Sequence, residues 1–347
     1  MTAADVGSPG ARIETRFVEG RGSGVLAVVF SQVRVPAGHF GLSRLFARTR
    51  HACLFVNQPS GRWYRGADEA IDDAVAAAGE QARPDRVVFY GSSMGGWGAL
   101  AAAARHPAAR VIAFAPDARV GEPGSRSADA GLSPDGSEPL LADLLAGTGA
   151  RATVVSGLFD PYDAGVFARM SEARRVGAVL VPVRSVHAVH DHLYTVNVIR
   201  RIIGGFDRDV ADAVAARGLL HPPVDPAELS RFAALALAVE AGDAVDPAAV
   251  RSLDLAGNPG VGLLEADVLA RAGDLVGADA RLRLLVVDIS ASPVLSTLPK
   301  RWLKGLWVRR VDLARRLGRA DAAERLVEEA GRLFPSDGRF APARPRG

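Results

Sequence analysis

Cysteine is almost missing from this chain, and lysine is nearly so. The single cysteine, Cys53, lies in the apolar run ACLFV and has no intrachain partner, which excludes a disulfide-built scaffold and fits a buried thiol in a reducing compartment. Only two lysines occur, Lys300 and Lys304, so nearly all positive charge is arginine, dispersed among acids to a formal net charge of +3. No basic block concentrates that charge, which argues against a nucleic-acid partner. The apolar runs are too short to cross a membrane, and the opening MTAADVGSPGARIETR has neither the basic start nor the apolar core of a secretion signal. The expectation is a cytoplasmic protein with no membrane partner. Nucleotide-binding loops are absent too: no G-x-x-x-x-G-K-[ST] occurs, and the turn YGSSMGG departs from G-x-G-x-x-G spacing, so no NAD or ATP cofactor is expected.

What remains is a chain of 347 residues, 48% hydrophobic, long enough for a substantial core and two domains. Short β-rich runs alternate with alanine-rich stretches from residue 11 to about 205. The candidate strands are 13 to 19, 24 to 31, 51 to 58, 86 to 91, 109 to 116, 152 to 157 and 178 to 183. Helices are expected near 68 to 80, 95 to 105, 163 to 173 and 191 to 202. The nearly continuous apolar character of the later strands implies a mostly parallel α/β sheet covered by helices on both faces, with its chemistry in loops beyond the strands' carboxyl ends. Residues 118 to 140 interrupt the rhythm with Gly, Ser, Pro and Asp, and read equally well as a flap over a pocket or as a surface excursion.

One such loop is GSSMGG, directly after the strand FYG and before a small-residue helix. Read as G-x-S-x-G, it uses Gly91, Ser93 and Gly95, a spacing that forms a sharp turn and pushes the central hydroxyl out of the backbone. Ser93 is the candidate nucleophile. A serine needs a base, and three of the seven histidines fall together in RSVHAVHDHLY after the last expected strand. His187 is the first beyond the strand and is favoured over His190 and then His192. The orienting acid is sought after the preceding strand, in SGLFDPYD, where Asp160 is favoured, with Asp163 as the close alternative and Asp117 as a weaker one. The backbone N–H groups of Met94 and Gln32 are the candidate oxyanion donors, with Ser31 near the second. Arg34 and His39 are placed where they either enter the pocket or lie on the surface, and Trp63 and Tyr64 where they either meet a ligand or pack against a neighbouring helix. The segment HAVHDH is histidine-dense, but its spacing departs from H-x-H-x-D-H at two places and no distant ligands complete a site, so no metal is expected.

With these residues in hand, the chain resembles the alpha/beta-hydrolase superfamily, over about residues 13 to 205. The resemblance implies a triad in the order Ser93, Asp160, His187 and an acyl-enzyme intermediate formed on a small-molecule ester or thioester. It also implies a sheet trimmed at its start, since one or two early strands of the family pattern are not seen. Val186-His187 stands where that family usually has Gly-His. The same groups would serve an acyltransferase if an alcohol or amine replaced water.

Residues 11 to 205 are therefore expected to be a catalytic domain and residues 206 to 340 a helical one. Its last segment resembles a tetratricopeptide repeat through Trp307, Gly318, Ala323, Ala330 and Pro335, which implies a surface for a protein partner or a homodimer, or an adaptor role on a non-catalytic scaffold. The tail FAPARPRG is expected to be disordered.

Overall fold

Seven of the apolar or alternating runs become strands, and an eighth joins them at the N-terminal edge. The computed structural model describes residues 4–6, 12–136, 138–172 and 177–340; the tail beyond Phe340 lies outside the described residues. The strands are β1 (Ala4–Val6), β2 (Ile13–Val18), β3 (Val25–Phe30), β4 (Ala52–Asn57), β5 (Arg86–Ser92), β6 (Arg110–Phe114), β7 (Ala152–Gly157) and β8 (Val179–Val183). They form one sheet in the order β1-β2-β4-β3-β5-β6-β7-β8, antiparallel at β1, β2 and β4 and parallel from there on. The sheet is thus not trimmed to the seven strands read from the sequence. A three-residue strand such as β1 is too short to show a period.

β3 and β4 are buried at every position, because both faces of the central sheet are covered. Leu26, Val28 and Phe30 point to one face of β3 and Val25, Ala27 and Val29 to the other. The first face packs α2 (Asp68–Ala82), α3 (Met94–Arg105) and α5 (Leu141–Thr148), through Ile71, Val75, Trp97, Leu100 and Leu144. The second packs α1 (Ser43–Phe46), α7 (Val189–Thr195), α8 (Val198–Ile202) and α9 (Val210–Ala215). Between β6 and α5 runs the irregular segment with the short helix α4 (Arg126–Asp129), and α6 (Pro161–Glu172) follows β7. The helix expected over 191 to 202 is two helices, parted at Asn197, whose φ of 62° breaks the run. Packing on the second face also continues through Phe206, Val210, Val214 and Leu219, and Leu220 bridges to Val183, so the layer does not end at residue 205.

The rest is helical: α10 (Pro226–Ala241), α11 (Pro247–Arg251), α12 (Pro259–Arg271), α13 (Leu275–Ala291), α14 (Lys300–Arg316) and α15 (Ala320–Leu333). Three of these starts follow one recipe. Asp225, Asp246 and Asn258 each accept a backbone N–H from the first turn, and each is followed by proline, whose fixed φ suits the first helical position. The extension docks where strands end. Phe232 and Ala236 of α10 pack on Leu158, Ala164 and Ala168, while Ala266, Leu282 and Leu285 pack with Phe159 and Val186, in the loops after β7 and β8. Each such fully buried large side chain contributes roughly 1.5–3 kcal/mol. Trp307, Ala330 and Phe334 close the contact between α14 and α15. The fold is the expected one, a mostly parallel α/β sheet flanked by helices on both faces with a helical C-terminal extension.

Candidate active site

The order β4-β3-β5 marks the switch point of the sheet. From β3 the chain moves outward to β4, then returns to place β5 on β3's other side and continues through β6 to β8. Loops leaving β3 and β5 in opposite directions open a crevice at their carboxyl ends. Ser93 sits in it, between β5 and α3, with φ 54° and ψ −121°. Such a conformation costs on the order of 1–3 kcal/mol in a non-glycine residue, and the surrounding backbone holds it. A Cβ at Gly91 would enter the carbonyl of Gly95, and one at Gly95 would lie 2.5 Å from the Phe30 oxygen, so the turn needs both glycines. Ser93 N–H donates to Phe114 O at 2.8 Å, tying the elbow to β6.

His187, in the loop after β8, meets this serine. Ser93 Oγ lies 3.1 Å from His187 Nε2, and His187 Nδ1 lies 3.0 and 3.2 Å from the two Asp163 oxygens. With the ring neutral, Nδ1–H donates to Asp163 and Nε2 is left to accept the serine proton. Asp163 is 1% exposed, in the first turn of α6. Burial lifts the Asp163 carboxyl above its ordinary range, and by itself would depress His187. The facing carboxylate outweighs that, and the imidazole is held above 6.5.

Asp160, the acid favoured from the sequence, does not face His187. One of its oxygens caps α6, accepting from the N–H groups of Tyr162 at 3.1 Å and Asp163 at 3.2 Å, and the other is ion-paired with Arg126. The signal was present in SGLFDPYD: aspartate followed by proline is the same N-cap recipe that starts α10 and α11. A cap is spent on the backbone, and the residue one turn in is left to reach across.

The remaining candidates have other partners. Asp117 accepts from Ser127 N–H at 3.0 Å, pinning α4, and burial pushes its carboxyl up to about 6. His190, in the first turn of α7, is turned inward, its Nε2 2.8 Å from the Tyr90 hydroxyl. His192 bridges Ser185 Oγ at 2.9 Å and Thr297 Oγ1 at 2.8 Å, fastening α7 to the helical extension, and burial lowers it to about 4. His39 is exposed on the surface. Trp63 and Tyr64 are buried, and the Tyr64 hydroxyl donates to Ser31 O at 2.8 Å, which holds the loop after β3. Cys53 is a core thiol, pushed up to about 11 by burial. The N–H groups of Met94 and Gln32 donate to no other group among the described residues; Met94 opens α3 directly after Ser93, and Gln32 lies in the loop after β3 and lines the same cavity as Ser93.

Ser93 and His187 open into a cavity of about 630 Å³. One side is made by Gln32, Arg34 and the α4 residues Arg126 and Asp129, so the segment 118 to 140 forms wall rather than a free excursion. The opposite contribution was not legible in the sequence. Leu263 of α12 and Pro299, Arg301, Trp302, Gly305 and Arg309 at α14 line the same cavity, so the helical extension builds part of the site. Nothing local in those residues signals it, because their placement depends on docking through Phe159 and Val186. Among the described residues no group of three His, Cys, Asp or Glu side chains is arranged to hold a metal ion, and no helix is long and apolar enough to cross a membrane.

No protein-family model matches the chain, and no curated protein matches it. Solved structures do show similarity. The capsule O-acetyltransferase of Neisseria meningitidis serogroup A is 14% identical, with a TM-score of 0.42 over 57% of this chain and 94% of that one. Est1E from Butyrivibrio proteoclasticus is 16% identical, with a TM-score of 0.42 over 61% and 99%. A serine hydrolase without a lid from Xanthomonas campestris is 16% identical, with a TM-score of 0.38 over 64% and 96%.

Proposed function

We propose that this chain is a serine hydrolase of the alpha/beta-hydrolase superfamily that cleaves an ester or thioester through an acyl-enzyme. One observation carries the reading: a serine on a strained strand-to-helix elbow, 3.1 Å from a histidine whose other nitrogen is held by a buried carboxylate. Ser93 Oγ attacks the acyl carbon while His187 Nε2 takes its proton. Asp163 keeps Nδ1 protonated and stabilises the imidazolium. The N–H groups of Met94 and Gln32 receive the negative oxygen of the tetrahedral intermediate. His187 then returns the proton to the departing alcohol or thiol. A water molecule, deprotonated by the same nitrogen, releases the acid and restores Ser93.

Within this reading the helical extension is a wall of the substrate cavity rather than a separate adaptor or repeat array. Leu263 and Trp302 support it, since they line the cavity that Ser93 and His187 open into.

The test is a burst experiment with a p-nitrophenyl ester. Native protein is expected to release one equivalent of p-nitrophenolate per chain before steady turnover, and folded Ser93→Ala none. A burst that survives Ser93→Ala would transfer the chemistry to another residue and end the proposal.

A further inference from the structure

The cavity beside Ser93 holds more positive charge than its own carboxylates neutralise. Four arginines line it: Arg34 in the loop after β3, Arg126 on α4, and Arg301 and Arg309 on α14. Two are engaged. Arg126 is ion-paired with Asp160 and Asp129, and Arg309 with Asp267. Arg34 and Arg301 have no ion pair and no side-chain hydrogen bond among the described residues. Of the carboxylates on the same walls, Asp129 and Asp160 already face Arg126, which leaves Asp191, 3.6 Å from His190 Nδ1 and turned largely to solvent.

Unpaired arginines on a protein surface are ordinary. These two share a concave site with a serine–histidine pair and arrive there on different elements. Arg34 follows Gln32 by two residues and is held at φ 66°, a conformation disfavoured for a residue with a Cβ. Arg301 lies in the first turn of α14 beside Trp302, on the helical wall. A guanidinium offers a planar fork of donors that matches carboxylate and phosphate oxygens, and because both side chains are exposed where they line the cavity, the pairing is open to screening by salt.

We infer that Arg34 and Arg301 form an anion subsite of the Ser93 cavity, so that the ester or thioester taken there carries a phosphate or carboxylate group. This rests on the reading of Ser93 as the nucleophile. The anion belongs either to the acyl part or to the leaving group, and the shared chemistry is an oxyanion bound by guanidinium.

The experiment compares neutral and anionic partners in two matched pairs. The acyl side is probed with p-nitrophenyl butyrate against mono-p-nitrophenyl succinate. The leaving-group side is probed with S-acetylpantetheine against S-acetyl-4′-phosphopantetheine. In one pair the native protein is expected to favour the anionic member by about tenfold or more in kcat/KM, and added salt should narrow the gap. Arg34→Ala/Arg301→Ala should bring that ratio close to one, chiefly through KM, with partial recovery in Arg34→Lys/Arg301→Lys. Because the ratio is read within each variant, loss of folded protein cancels. No preference in either pair, or a preference that persists in the double alanine variant, overturns the subsite. Equilibrium dialysis with inorganic phosphate separates this from the reading it rests on. Ser93→Ala should bind phosphate about tenfold more tightly than the same chain lacking both arginines, whether or not the serine is reactive. Equal binding would also overturn the subsite.

Discussion

The two sides of the cavity around Ser93 are built on different principles. On the α/β side, each chemistry-bearing group sits within four residues past a strand end or in the first turn of a helix, and local hydrogen bonds fix the elbow and its neighbours: Ser93 to Phe114, the loop after β3 through Tyr64, Asp163 behind the Asp160 cap. On the helical side, Leu263, Arg301, Trp302 and Arg309 are brought in by side-chain packing between distant segments. A reaction needs its groups held to fractions of an ångström, which strand ends provide. Selection among substrates tolerates a wall that docks as a body. The contrast predicts that changes on the first side alter kcat and changes on the second alter KM or stability.

The largest expected effects lie on the α/β side. Ser93→Ala or His187→Ala should lower kcat roughly ten-thousand-fold or more with the fold intact, measured by ester turnover alongside circular dichroism. Asp163→Asn should come close behind, since an amide presents the wrong group to His187 Nδ1. Its neighbour sharpens the comparison. Asp160→Ala removes a helix cap and Arg126's partner, so it should cost about 1–2 kcal/mol in denaturant unfolding while leaving a burst of normal amplitude. Equal losses of kcat in the two variants would erase the distinction drawn between these carboxylates.

The pH profile comes next. His187 must be neutral to accept the serine proton, and Asp163 holds it above 6.5, so turnover should rise with pH through a midpoint above 6.5 and be lost on the acid side. Removing the carboxylate in Asp163→Asn should move the residual activity's midpoint downward.

Smaller effects belong to the helical side. His192→Ala leaves the Ser185 hydroxyl without a partner and removes one of the two hydrogen bonds of Thr297 Oγ1, which should cost about 1–3 kcal/mol of stability. Native His192 is depressed to about 4, so its neutral form stabilises the fold fully above about 6.5, and that contribution is lost as the pH falls through about 4. Urea midpoints across this range, compared with the variant, report it. Trp302→Ala should raise KM by about tenfold with little change in kcat. A fall in kcat with KM unchanged would place Trp302 with the chemistry rather than the wall.

Much of the α/β side could be read from the chain because its signals are local. Apolar runs that stop on small residues mark buried parallel strands, and a serine between glycines at such a stop marks an elbow. That Asp163 rather than Asp160 meets His187 also has a local reason: Asp-Pro starts helices here three times over, at Asp160, Asp225 and Asp246, and spends the aspartate on the backbone. The cavity wall had no such signal. Gly242, Gly273 and Gly318 mark turns between helices, but no period in α12 or α14 tells which residues will face Ser93 once Leu282 and Leu285 have packed on Val186.

The most direct test is to label the native chain with a fluorophosphonate and locate the adduct by mass spectrometry of its peptides, with Asp163→Asn, Asp160→Ala and His187→Ala in parallel. The account predicts one adduct, on Ser93, formed at a near-native rate in Asp160→Ala and far more slowly in the other two. An unlabelled but folded native protein, an adduct on another residue, or an Asp160→Ala chain as slow as Asp163→Asn would contradict it.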